Sequence, residues 1–213
     1  MKRFKKVFLS IFLLLVIGIA GGVILNYPKL NILSGYSAKH MCSSVFLAHR
    51  SVEFTDTYDN NFDPVHLAED QIDMQQKTAS ASLFGLKERR AVYREGLGSV
   101  LVDDDFDEKA PVLTPNRTKI DTGLAYPYGS LPQKDTVFET IDYDKIRKTV
   151  TSVFDREGEY IQKTRAVLVI YKDQIIAEKY IDGLTKDSRL LGWSMTKSIL
   201  STVYGVLQKQ GKI

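Results

Sequence analysis

The sequence predicts an α+β protein. An N-terminal transmembrane helix comes first, then short strands and loops, then a helix, a β-hairpin and a second helix opening on Ser-x-x-Lys. Three observations carry this reading. Residues 7–25 (VFLSIFLLLVIGIAGGVIL) are an uncharged apolar run of 19 residues. Residues 166–171 (AVLVIY) and 175–181 (IIAEKYI) are two short β-rich runs separated by Lys172-Asp173-Gln174, the pattern of a hairpin. In residues 194–209, Met195, Ile199, Val203, Val206 and Leu207 recur at helical spacing, and Gly211 stands where a helix ends.

The apolar run sets the first domain, residues 1–27. At about 1.5 Å rise per residue it reaches nearly 30 Å, enough to cross a bilayer. Lys2, Arg3, Lys5 and Lys6 flank it on the N-terminal side. The positive-inside rule then keeps the N-terminus cytoplasmic and exports the rest, to a periplasmic or extracellular location. A cleaved signal peptide is the rival reading, because Gly18-Ile19-Ala20 resembles a small-residue cleavage site. The apolar run continues through Val23-Ile24-Leu25, which favours an uncleaved single-pass anchor.

The same four cations account for the overall net charge of +3, so the remaining chain is close to neutral. That excludes a basic face for nucleic acid. With 44% hydrophobic and 26% charged residues, the chain is too apolar for a disordered one. Cys42 is the only cysteine, so no intramolecular disulfide forms, and it reads as a small buried hydrophobe.

The second region, residues 28–139, is less regular. Tyr27-Pro28-Lys29 reads as a juxtamembrane linker and residues 37–47 (SAKHMCSSVFL) as the start of a helix. Residues 55–77 read as polar, acidic loop with a turn at Asp59-Asn-Asn-Phe-Asp-Pro64. Short strands are expected in residues 80–86, 89–93 and 99–102. Residues 103–108 lack the glycine and alternation of a calcium loop and read as an acidic turn. His66 and Glu69 read as a solvated helix turn and not half a metal site, and His40 and His49 as packing or surface residues. Asn116-Arg117-Thr118 fits a glycosylation sequon.

The third region, residues 140–213, carries the chemistry. Ile146, Val150, Val153 and Phe154 recur at helical spacing with Asp142 or Asp144 as N-cap, and the hairpin and last helix follow. Ser194 and Lys197 are three apart on a helix and therefore share a face. A lysine amine there can take the hydroxyl proton that serine must lose to become a nucleophile. The spacing alone is weak, since about one Ser-x-x-Lys is expected by chance with this many serines and lysines. Its context is stronger: it opens an amphipathic helix, where backbone N–H groups and the dipole favour negative charge and the Ser194 amide can serve an oxyanion. Half-burial of Lys197 under the preceding loop would favour its neutral, basic form. Trp193 reads as packing at the helix start.

The words Arg165-Ala-Val-Leu-Val-Ile-Tyr171, Gln174-Ile-Ile-Ala-Glu-Lys-Tyr180, Leu191-Gly-Trp-Ser-Met-Thr-Lys-Ser198 and Gly205-Val-Leu-Gln-Lys-Gln-Gly-Lys-Ile213 resemble the serine β-lactamase and penicillin-binding-protein-like hydrolases. The likeness is greatest to the class C, esterase and 6-aminohexanoate-dimer-hydrolase branch. Residues 35–46 and 91–98 are similar to the N-terminal extension of that branch. The resemblance implies that residues 140–213 begin a β-lactamase-like catalytic domain. Ser194 would be the acylated nucleophile and Lys197 its proton-handling partner, with an ester, amide or peptide as substrate and neither metal nor organic cofactor. The family completes its site with a Tyr-x-Asn or Ser-x-Asn element and a Lys- or His-x-Gly strand, far downstream of the Ser-x-x-Lys helix. Both would fall beyond Ile213, so the 213 residues are expected to be an N-terminal portion, inactive by itself. Tyr204 lies outside any Tyr-x-Asn context. Two other readings stay open: a penicillin-sensing ectodomain that retains its acyl group, and a non-catalytic remnant.

Overall fold

A computed structural model of the chain describes residues 2–116, 122–154 and 163–213, and the side chains of residues 9 and 11 onward within them. The chain is α+β and divides into two compact units, Met1–Lys119 and Ile120–Ile213.

The first unit begins with α1 (Lys2–Asn26), and its apolar surface is uncovered; Leu14 is 68% and Ile24 70% exposed. Helical backbone continues through a 3₁₀ turn (Tyr27–Lys29), α2 (Leu30–Cys42) and a π turn (Ser43–Leu47). The linker expected at Tyr27-Pro28-Lys29 is therefore helical. Pro28 lies in the first turn of that 3₁₀ segment, where a missing N–H costs little, so the helix tightens and does not end.

The helix expected from Ser37 onward is present and begins earlier, at Leu30. Ala38, Met41, Cys42 and Val45 form one buried stripe at i, i+3, i+4 and i+7. The stripe packs on a four-stranded antiparallel sheet in sequence order: β1 (Ala68–Asp73), β2 (Thr78–Leu83), β3 (Leu86–Arg94) and β4 (Gly98–Leu101). The sheet meets it with Ala79, Ala81 and Ala91, whose small side chains let the helix approach closely. Cys42 is fully buried in this core, as its type suggested.

Strands β2, β3 and β4 agree with the apolar runs in the sequence. β1 overturns the loop expected over residues 55–77. Its inward positions are Ala68, Asp70 and Ile72, each half-buried, so a carboxylate occupies the middle of the buried face. That polarity hides the strand, and an inward charge on an edge strand also blocks further pairing. Asp70 is accommodated by a buried polar cluster. Ser37 Oγ lies 2.8 and 2.9 Å from the two carboxylate oxygens, and Asn60 Nδ2 donates to Ser37 Oγ at 3.0 Å. His40 Nδ1 lies 2.6 Å from Asn60 Oδ1, so His40 is a packing residue. The helix turn expected over His66 and Glu69 is instead a 3₁₀ turn (Val65–Leu67) running into β1: His66 lies in the turn and pairs with Asp63, while Glu69 falls on the strand.

Burial raises the pKa of the Asp70 carboxyl, partly offset by the hydrogen bonds from Ser37 and Asn60 and reinforced by the charge of Asp56. A carboxyl raised on folding binds more protons in the folded state than unfolded. Its contribution to stability is therefore complete below the unfolded value and is lost as pH rises through the folded one. Thermal unfolding should show this as a difference: relative to Asp70→Asn, the parent chain is most stable at the acid end and falls behind as pH rises.

Between α2 and β1 the chain forms a single helical turn α3 (Val52–Phe54), capped by Ser51 Oγ at 3.0 Å, and a second π turn (Thr55–Asp59). Arg50 and Asp59 close this loop with a buried ion pair at 2.5 Å, their side chains 6% and 3% exposed. The expected acidic turn at residues 103–108 is an exposed turn, with Glu108 paired to Arg90. Of the sequon, Arg117 and Thr118 lie outside the described residues.

The second unit contains α4 (Tyr143–Thr151), the hairpin β5 (Ala166–Tyr171) and β6 (Gln174–Tyr180), and α5 (Met195–Lys209). Asp142 is the N-cap of α4, accepting from the Lys145 amide at 2.9 Å. The hairpin turns at Lys172-Asp173 with φ of 47° and 60°, the left-handed pair that matches strand twist. Gln133 extends the pairing through its side chain, donating to Ile175 O at 2.9 Å and accepting from Ile175 N at 2.8 Å.

Candidate functional site

Ser194 and Lys197 are brought together. Lys197 Nζ donates to Ser194 Oγ at 2.9 Å, within the reach a proton transfer requires. The helix that holds them is well specified at both ends. At its C-terminus Gly211 takes φ 67°, the Gly211 amide bonds Gln208 O, and the Lys212 amide bonds Leu207 O at 3.0 Å. These two bonds form a Schellman stop, as the glycine position suggested.

The N-terminus is more particular. Trp193 has φ 43°, a left-handed backbone that a bulky residue rarely adopts. Its carbonyl is held by Thr196, through the amide at 3.2 Å and through Oγ1 at 2.7 Å. Gly192 fits the close approach of Thr196, because a Cβ there would lie 3.2 Å from the threonine methyl. The chain thus turns sharply at Gly192-Trp193 and presents Ser194 on the first turn. Trp193 is 61% exposed, which corrects the expectation that it packs at the helix start. No sequence signal marks a tryptophan for left-handed backbone; the neighbouring glycine is the nearest hint.

The amides of Met195, Thr196 and Lys197 bond the carbonyls of Gly192, Trp193 and Ser194 at 2.9, 3.2 and 3.1 Å. The first-turn donors expected to be open to an anion are therefore engaged in tight i→i−3 turns. Among the described residues the Ser194 amide has no such backbone acceptor, so of these donors it is the one left open to an anion.

Lys197 is exposed and not half-buried. The reason is that α5 buries none of its residues: Met195 is 67%, Ile199 65% and Val203 48% exposed, so the expected apolar face is uncovered. Tyr204 is exposed on the same helix. A cleft of about 420 Å³ lies elsewhere in this unit, between α4 and β6, lined by Tyr143, Ile146, Val150, Ile176, Glu178 and Lys179; Ser194 and Lys197 do not line it. As it stands, the pair can position a hydroxyl against an amine and offer one amide to a developing charge.

No protein-family model, no curated protein and no solved structure matches this chain.

Proposed function

We propose that Ser194 is the acylated nucleophile of a membrane-anchored, extracytoplasmic serine hydrolase similar to the β-lactamase and penicillin-binding-protein-like enzymes. Lys197 takes the hydroxyl proton, an ester or amide acylates Ser194 with departure of its alcohol or amine, and water releases the acid. The observation that carries this reading is the 2.9 Å contact from Lys197 Nζ to Ser194 Oγ, set at a helix start behind the strained Trp193. An ammonium can only donate to the hydroxyl; as a base the lysine must be neutral, which a dry environment favours. The uncovered apolar face of α5 is the surface whose covering would dry the site.

Membrane attachment is assigned to residues 7–25, with Lys2, Arg3, Lys5 and Lys6 cytoplasmic and the chain after Asn26 outside. It is supported by the length and apolarity of α1 and by the exposure of its side chains. The hydrolase reading is tested on the product of the whole reading frame, reconstituted in vesicles and supplied with a p-nitrophenyl ester. A burst of nitrophenol followed by steady release is expected, and Ser194→Ala should remove both. Release unchanged in Ser194→Ala would reject it.

A second reading, α5 as an interaction helix whose serine does no chemistry, is favoured by the exposure of Met195, Ile199, Leu200 and Tyr204. It predicts no burst from either protein.

A further inference from the structure

The turn between β2 and β3 sits against the end of the apolar helix. Lys87 Nζ lies 4.6 Å from the centre of the Tyr27 ring, just past the last residue of α1. Ser34 Oγ on α2 donates to Lys87 O at 2.6 Å, which fixes the hairpin to the helix at this level. The turn residues are Phe84 and Gly85, joined to the paired Leu83 and Leu86.

Their identities are not those the turn favours. Phe84 and Gly85 have φ of 54° and 68°, so both central positions are left-handed, a geometry that selects Asn, Asp or Gly. Phenylalanine there carries backbone strain and gains no cover from the fold, since it is 67% exposed. Leu86 is 45% exposed beside it, and Ile32, early in α2, is 71% exposed. The apolar tip therefore stands with a tyrosine and two lysines, Lys29 and Lys87, at the end of the 25-residue α1. Aromatic rings and snorkelling lysines at the end of an apolar span are the composition of a bilayer interface.

We propose that the β2–β3 tip inserts into the outer interface of the same bilayer that α1 crosses. Phe84 and Leu86 enter the headgroup–acyl boundary by about 5–10 Å, and Lys29 and Lys87 meet lipid phosphates. The tip and α1 then form two attachment points, holding the α2–sheet unit in one orientation on the membrane. This inference rests on the reading of α1 as a membrane anchor.

The test is nitroxide labelling of the full chain in phosphatidylcholine–phosphatidylglycerol vesicles, with depth read from collisions with oxygen and with a water-soluble nickel chelate. Three single variants separate the possibilities: Leu14→Cys in α1, Phe84→Cys at the tip, and Met74→Cys in the β1–β2 turn. Met74 is as exposed as Phe84, at 65%, but stands at the opposite end of β2, roughly 20 Å away for six residues of strand. Cys42 is fully buried and does not compete for label in the folded protein. The expected result is loss of nickel accessibility at positions 14 and 84 with full accessibility at 74. Position 84 as accessible as 74, with 14 still protected, overturns the tip and leaves the anchor standing. All three in water overturns both. Phe84→Asn provides the check on folding: it should keep or raise thermal stability by relieving the turn, while a label at Leu86→Cys in that background moves into water. A label at position 86 that stays protected there contradicts the role of Phe84.

Discussion

Replacing Asp59 by alanine should destabilise the Met1–Lys119 unit by about 3–5 kcal/mol, because it leaves the Arg50 guanidinium buried without its carboxylate. Both side chains are almost wholly enclosed, so bulk solvent screens the charge left behind only weakly. Arg50 also lies 5.8 Å from the Phe54 ring, a contact too weak to offset a lost buried charge. Thermal unfolding followed by circular dichroism measures the loss. The double variant Arg50→Met with Asp59→Leu should return most of it, since apolar residues of similar volume often replace a buried pair at little cost. Equal damage in the single and double variants would mean that the loop is held by shape and not by charge.

The second large effect is at Lys197. With alanine there, the rate at which a fluorophosphonate labels Ser194 should fall by about 10²–10⁴-fold, the usual contribution of a positioned base. Arginine should not restore it. A guanidinium keeps the positive charge and can reach the hydroxyl, but it does not give up its proton to become a base. A merely structural role for the 2.9 Å contact would be rescued by arginine, so the Lys197→Ala and Lys197→Arg pair separates the two.

Much of the architecture follows from local pattern. Residues 166–171 and 175–181 are two short β-rich runs broken at Lys172-Asp173-Gln174, and the structure has the hairpin there. Asp142 precedes an amphipathic stretch and caps α4; Gly211 ends α5 with the two bonds of a Schellman stop. What escaped the sequence is tertiary in origin. β1 reads as loop because Asp70 stands where an apolar residue would signal a strand, and only Ser37 and Asn60, distant in sequence, make that position acceptable. The continuity of α1 into α2 is hidden by Pro28, whose cost depends on falling in the first turn of a 3₁₀ segment.

The candidate site divides in the same way. The Ser194–Lys197 pairing depends on helical spacing alone and is legible from the sequence. The exposure of Lys197 depends on what packs over α5, and the left-handed Trp193 on a turn that no residue pattern announces. Spacing places the amine against the hydroxyl, whereas neighbouring surface decides how dry the amine is.

The most direct measurement is the location of the adduct after a fluorophosphonate probe is incubated with the full-length protein in vesicles. Peptide mass mapping should find the phosphonyl group on Ser194 and on no other serine, with none in Ser194→Ala. An unmodified Ser194, or equal labelling of the Ser194→Ala protein, would contradict the assignment of this residue as a nucleophile.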